Sequence, residues 1–375
     1  MANILVLGGG FAGVIAAESL AERLGPEHQI TLVSQHREFI FYPSLVKLAF
    51  GECEVSDITY DLREAMLDRR INFIQAEVAY PDPENNCVIV PHGEVEGKIS
   101  YDYLIFALGR RLATEEVRGF YSHGHHVLTV NSALKFREAL KKFHAGRAVF
   151  GYCPDSRLAV PVFESAFALD RLLKEHGERD KCTITIVSPE ELGGQLGGAE
   201  VVPHLQKALD EHGVTFTPNF PIMEVTESNL KSRTGQTIDY DLLMLLPPFT
   251  GPGEAMYTGI TDPNGYVRVD RHMKVTGADR IYAAGDCVNF LGPKMGHMAV
   301  LQGTVAAANV VAEIEGKEPA ARYDHELMLV IDEGGSDSIY LQKPLWEKAE
   351  ATIKQGRFWS WSKLIHQKYW KRIHD

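Results

Sequence analysis

Ile4-Leu5-Val6-Leu7-Gly8-Gly9-Gly10-Phe11-Ala12-Gly13 opens the chain with an apolar run that breaks into glycines. Four apolar residues read as a short buried strand. After the glycines a helical segment continues to Leu24, Gly25-Pro26 stops it, and Gln29-Ile30-Thr31-Leu32-Val33-Ser34 reads as a second strand. A strand, a glycine turn, a helix and a strand within about thirty residues make GxGxxG a dinucleotide-binding fingerprint. Gly8 permits the tight turn, Gly10 lets a pyrophosphate approach the backbone, and Gly13 lets the helix pack close to the sheet. Phe11 and Ala12 begin the helix, where free N–H groups and the dipole attract phosphate. The acidic residue that usually ends the second strand and grips a ribose is missing; Ser34 and Gln35 stand there and offer neutral hydrogen bonds.

The rest of the chain bounds this reading. At 375 residues it is long enough for two domains, and its 45% hydrophobic and 23% charged residues are those of a globular protein. A net charge of -12 argues against nucleic-acid binding. Residues 354–375 carry six Lys or Arg against one acid, so this tail is about +5 and the remainder about -17. The first strand begins at once, which leaves no room for a signal peptide, and no apolar run reaches membrane-spanning length, so a cytosolic origin is expected. The five cysteines, Cys53, Cys87, Cys153, Cys182 and Cys287, are widely spaced without CxxC, so no metal site and no disulfide framework is expected.

Beyond the first unit lies an aromatic loop, Arg37-Glu38-Phe39-Ile40-Phe41-Tyr42-Pro43-Ser44, on the side of the sheet where cofactors sit in such folds. The segment from Asn72 to Val78 reads as a strand, and Tyr101 to Gly109 as another that ends in the turn Ala107-Leu108-Gly109. Residues 110–117 form a crossover. A second α/β block starts near Arg147, with strands at 148–151, 182–187 and 214–217 and helices at 162–176 and 201–212. Its turn reads Gly151-Tyr152-Cys153-Pro154-Asp155-Ser156-Arg157-Leu158-Ala159. Side chains and a proline fill the places where a pyrophosphate needs bare backbone, which disfavours NAD(P)H there. Farther on, Leu242 to Leu246 is a fully apolar strand followed by Pro247-Pro248-Phe249. Ile281 to Asp286 is a strand ending in Gly285-Asp286, an acid placed to bind a polyol, and a small-residue helix runs from Ala299 to Glu313 after Pro293-Lys294-Met295-Gly296.

Together these motifs resemble the two-dinucleotide-domain flavoproteins, and most closely the sulfide:quinone oxidoreductases and their flavocytochrome c relatives. The resemblance implies FAD held by Gly8, Gly10, Phe11, Ala12, Gly13, Ser34, Gln35, Pro43, Val78, Ala107, Gly109, Gly285, Asp286 and Lys294. It also implies electrons passed from a small reductant to a quinone, with Lys294 and Glu164 in catalytic places. The family's redox cysteines fall at about Leu128, Leu158 and Leu329, and leucine has no nucleophilic sulfur. Cys153 is the nearby thiol that could substitute. A type II NADH:quinone dehydrogenase and a flavin-binding sensor or membrane-associated module without catalysis are the alternatives.

In the tail, Phe358, Trp361, Leu364, Ile365, Tyr369 and Ile373 share one half of a helical wheel, with Trp359 and Trp370 at its margin and basic residues around them. Such a helix reads as a membrane-interface segment, and the alternative is a helix packed on the protein or on a second copy of the chain. The expected organisation is therefore α/β: two Rossmann-like domains plus a C-terminal interface segment. Residues 1–110 and 241–320 form the FAD-binding domain, 111–240 the second domain, and 321–375 the quinone and membrane-interface region. The protein is expected on the cytoplasmic side of the cell membrane as a peripheral protein.

Overall fold

A computed structural model describes residues 1–374 except 257 and 336; in the last helix the side chains at 360–364, 366, 367, 369 and 372 lie outside the description. The first strand, β1 (Asn3–Leu7), leads into α1 (Phe11–Arg23), β2 (Gln29–Ser34), β3 (Asn72–Glu77) and β4 (Tyr103–Phe106). The second block holds β5 (Gly146–Tyr152), α2 (Val160–Glu175), β6 (Cys182–Val187), α3 (Val202–Glu211), β7 (Val214–Thr217) and β8 (Leu242–Leu246). The chain then returns through β9 (Ile281–Ala283) and α4 (Gly296–Ile314). It finishes with β10 (Glu326–Asp332), β11 (Ser338–Pro344), β12 (Thr352–Gln355) and α5 (Arg357–His374).

The first sheet runs β9-β4-β1-β2-β3 in parallel, with His92–Gly93 added antiparallel at its edge. All four residues of β4 and the last four of β1 are buried. Strands covered on both faces read as continuous apolar runs, and that is how they appear in the sequence. The second sheet runs β7-β6-β5-β8, also parallel. This moves one expected boundary: β8 pairs with β5, so residues 242–246 belong to the second domain and not to the FAD-binding part assigned from residue 241. An all-apolar strand fits a buried position in either sheet, and only the pairing chooses. The two crossovers between the domains zip together, Arg111–Leu112 against Phe249–Thr250.

Two glycines set the site. A Cβ on Gly13 would lie 1.9 Å from the Gly8 carbonyl, and one on Gly303 would lie 2.5 Å from the Ala12 carbonyl. Hence α1 packs close to the sheet and α4 close to α1, and the N-termini of both helices open onto one crevice at the carboxyl ends of β1, β4 and β9.

Candidate active site

The crevice begins with the loop at residues 8–13. Gly8 adopts φ +104, and a Cβ there would sit 2.2 Å from the Ala107 carbonyl, so only glycine fits on both counts, while at Gly10 the space beyond the backbone holds nothing within 4 Å. The α1 N-terminus carries no side-chain cap. Its amides are thereby left for a ligand on the open side of Gly10. Ser34 is buried beneath the loop, its Oγ 2.7 Å from where a Gly9 Cβ would be, whereas Gln35 is exposed at the end of β2. Of the two residues expected to reach a ribose, Gln35 has the open position. Val78 is buried just past β3, Pro43 stands in the short turn Tyr42–Ser44, and Gly109 turns with φ +76 after β4.

Asp286 follows β9 and pairs with Arg110. The Arg110 guanidinium lies 4.2 Å over Phe249, and its Nε is buried with no acceptor among the described residues. Gln302 on α4 accepts the Gly285 N–H at 2.7 Å, fixing the turn that presents Asp286. Tyr42 sits near the Arg110–Asp286 pair; the residue is nearly half exposed, yet desolvation around its hydroxyl raises its pKa, with the Arg110 charge opposing.

Lys294 is buried, which is costly for an ammonium. Its Nζ donates to the Val288 and Phe290 carbonyls and lies 4.7 Å from the Tyr266 ring. Burial first, and the Arg157 charge second, pull its pKa down to about 7. Arg157 comes from the second domain. Its Nε donates to the Gly292 carbonyl at 2.8 Å, its Nη2 donates to the Phe290 carbonyl, and its own carbonyl accepts from Lys294 N–H at 2.8 Å. His325 closes the far wall, with Nε2 on the Leu291 carbonyl at 2.7 Å and Nδ1 on the Tyr323 hydroxyl at 2.8 Å.

The remaining candidates fall elsewhere. Glu164 is buried on the face of α2 that packs on β10, where its Oε1 accepts the Asp332 N–H at 3.0 Å. Cys153 does not serve the crevice: it is fully buried in a separate apolar cluster with Val149, Phe220 and Leu245, and burial pushes its thiol far above the ordinary range. That corrects its expected role as a substitute sulfur. Cys287, though next to Asp286, is also fully buried, points at the Phe106 and Ala284 carbonyls, and is pushed up to about 12 by burial. Leu128 and Leu329 are core residues and Leu158 is packed against the core. Arg110, Arg157, Gln302 and His325 were missed from sequence because each acquires its meaning from a partner more than a hundred residues away or from a contact across the crevice.

This arrangement fits FAD: an open glycine cradle under an uncapped helix, an acid presented for a polyol, and an arginine with a spare donor. The fold and site thus define a two-domain dinucleotide-binding oxidoreductase architecture. The sequence model of the family described as pyridine nucleotide-disulphide oxidoreductase matches residues 2–303, and the chain belongs to that family. It is 25% identical to a sulfide-quinone reductase of Aquifex aeolicus, over 98% of this chain and 90% of that protein. It is 22% identical to a type II NADH:quinone oxidoreductase of Staphylococcus aureus, over 94% and 93%. The X-ray structure of the sulfide:quinone oxidoreductase from Aquifex aeolicus superposes with a TM-score of 0.91, covering 100% of this chain and 92% of that one at 24% identity. The resemblance to sulfide:quinone oxidoreductases read from the motifs agrees with these matches.

Proposed function

We propose that this protein is an FAD-dependent oxidoreductase that passes electrons from a small reductant to a quinone. The single observation carrying the reading is the crevice itself, where the open loop at 8–13, the Asp286–Arg110 pair and buried Lys294 converge. Bound there, the flavin supplies two-electron chemistry between donor and acceptor. The amides of Phe11 and Ala12 hold its pyrophosphate, and Asp286 accepts hydrogen bonds from its polyol. Lys294, with a pKa near 7, can hold or yield a proton at Nζ at neutral pH, beside the place where charge changes during turnover. Arg110 and Arg157 keep that neighbourhood cationic. Glu164 is proposed as a proton carrier on the second-domain side.

The donor is a reductant that needs no protein thiol, since by the resemblance the family's three cysteines fall at about Leu128, Leu158 and Leu329, and leucine has no nucleophilic sulfur. Anaerobic mixing with sulfide and other sulfur anions, followed by quinone addition, tests this. Bleaching of the visible flavin band by a donor and its return with quinone is the expected result. No bleaching by sulfide would remove it as donor, and a purified protein that takes up no FAD would end the reading altogether.

Besides the similarity to a type II NADH:quinone oxidoreductase, the NADH reading has one structural observation in its favour. Glu190 follows β6, where such folds place the acid that grips a nicotinamide-nucleotide ribose. Its carboxylate is already engaged, however, with Oε1 accepting from Gln195 Nε2 at 3.0 Å, and the loop before α2 is closed. NADH is therefore expected to leave the flavin oxidised.

We further propose attachment to a membrane surface through α5. Phe358, Ile365, Lys368 and Ile373 are exposed on it, and the segment is basic. Among the described residues no helix is long and apolar enough to cross a membrane. The marginal tryptophans face inward, Trp359 stacking on Tyr340 at 4.1 Å and Trp370 being buried, while the side chains of Trp361, Leu364 and Tyr369 lie outside the described residues. Flotation with anionic vesicles at low salt, lost at high salt, is the expected behaviour.

A further inference from the structure

The last turn of α5 closes on the first turn of α1. Trp370 is buried, with its ring edge-on to Phe11 at 5.0 Å between centroids and parallel to Phe39 at 5.3 Å. Phe39 stacks on Tyr60 at 4.7 Å, Tyr60 on His374 at 4.5 Å, and His374 on Trp370 at 5.2 Å, so the four rings form one block. Polar contacts pin it to the first domain. Glu18 on α1 meets His374 Nε2 at 2.8 Å and Arg69 Nε at 2.8 Å, while Arg69 also donates to the Ile373 carbonyl and Lys371 to the Ser56 carbonyl.

Phe11 connects this block to the cofactor loop. Among residues 8–13 it alone has a side chain beyond Cβ, so it is the one residue of the loop whose side chain reaches out to other elements. Its ring also packs edge-on against Phe39 and Phe41, and lies 3.1 Å from where a Cβ on Gly296 would be, at the start of α4. One ring thus touches the tail, the aromatic loop and the helix that borders the crevice.

We propose that Trp370 is a positioning residue for the FAD-binding loop: seated on Phe11, it holds the Phe11 and Ala12 amides in register with the pyrophosphate, so that docking of the C-terminal helix sets how tightly the cofactor is retained. The inference rests on the FAD reading above. It uses the inner face of α5, whereas Phe358 and Ile365 point away, so a contact on the outer face leaves Trp370 in place.

The test uses full-length protein loaded with FAD and compares the parent with W370A, W370F, F358A, F11A and the F11A/W370A pair. Two quantities are read: the rate of FAD release, by flavin fluorescence, and the gap in melting temperature between FAD-loaded and apo forms. W370A is expected to release FAD about tenfold faster and to narrow the gap, W370F to stay within about threefold of the parent, and F358A to match it. In the F11A background the Trp370 substitution should add nothing, because its route to the loop is gone. Should W370A fail to accumulate, H374A carries the test: it removes the ring stacked on Trp370 and the contact with Glu18, is expected to release FAD several-fold faster than the parent, and retention equal to the parent's would overturn the proposal. Equal lowering of apo and loaded melting temperatures, or a W370A effect undiminished in F11A, would overturn it as well. A parent that binds no FAD would overturn the flavin reading and the proposal together; a parent that binds FAD with W370A unchanged overturns the proposal alone.

Discussion

The loop at residues 8–13 and its counterpart at 151–159 occupy the same place in two copies of one supersecondary unit, and they do opposite work. The first is bare. Gly8 and Gly13 are pressed against carbonyls so that Gly10 faces open space. The second spends its backbone on the protein. Cys153 N–H bonds the Leu246 carbonyl, and the Asp155, Ser156 and Arg157 carbonyls accept from Phe249, Gln195 and Lys294. Asp155 adopts φ +63, an unusual cost for a residue with a Cβ, and Arg157 then lashes the two domains together. A strand–turn–helix is therefore a cradle only while the open side of its turn stays free of other bonds, as at Gly10; once those bonds are made, the same turn becomes a clamp.

The comparison can be broken at several points. The largest effect is expected from G13A, whose Cβ would meet the Gly8 carbonyl at 1.9 Å and force α1 off the sheet. Such overpacking costs about 1–3 kcal/mol or more, and the flavin-to-protein ratio should fall below about one-tenth of the parent's. G10A separates cradle from scaffold. With nothing within 4 Å it should leave apoprotein stability within about 0.5 kcal/mol of the parent, yet weaken FAD binding about 10- to 100-fold by titration, since the methyl takes the pyrophosphate's place. A G10A protein that binds FAD normally would show that this is not the cradle.

On the clamp side, R157M removes guanidinium bonds to two carbonyls, worth about 1.5–3 kcal/mol, measurable by urea denaturation. NADH should still fail to bleach the flavin, because Pro154 and Asp155 remain; bleaching in R157M would mean that the arginine alone had closed the site. A smaller effect at neutral pH comes from Lys294. Burial lowers it from its ordinary 10.5 to about 7, so across that window the unfolded chain binds more protons than the folded one. Its contribution to apoprotein stability is lowest below pH 7 and rises as pH climbs toward 10.5. Denaturation at several pH values should show this slope in the parent and lose it in K294M. The smallest effect is expected from C153A: turnover should remain within about twofold of the parent, since the thiol lies in an apolar core away from the crevice.

Much of this was legible in the sequence. The glycine loop, Gly285-Asp286, the run Pro293 to Gly296 and the closed second turn are local signals, each fixed by backbone conformation within a few residues, and the structure gathers the first three around one crevice. The placement of β8 was not legible, because an apolar strand suits either parallel sheet. The thiol of Cys153 looked available from its distance along the chain and proved to lie on the wrong side of the second sheet. The tail read as a membrane-interface helix with Trp370 at the margin of its apolar half, or else as a helix packed on the protein; that Trp370 turns inward to meet Phe11, across 359 residues of sequence, only the structure decides.

By itself, then, the sequence determined that this chain builds a dinucleotide cradle once, near its start, and closes the equivalent place in its second domain, because glycine and proline act through the covalent geometry of their own few residues. The tertiary structure alone decided which charges face Asp286, why Lys294 sits near neutrality and what the C-terminal helix grips. Desolvation and pairing depend on neighbours brought from far along the chain, and no local pattern encodes them.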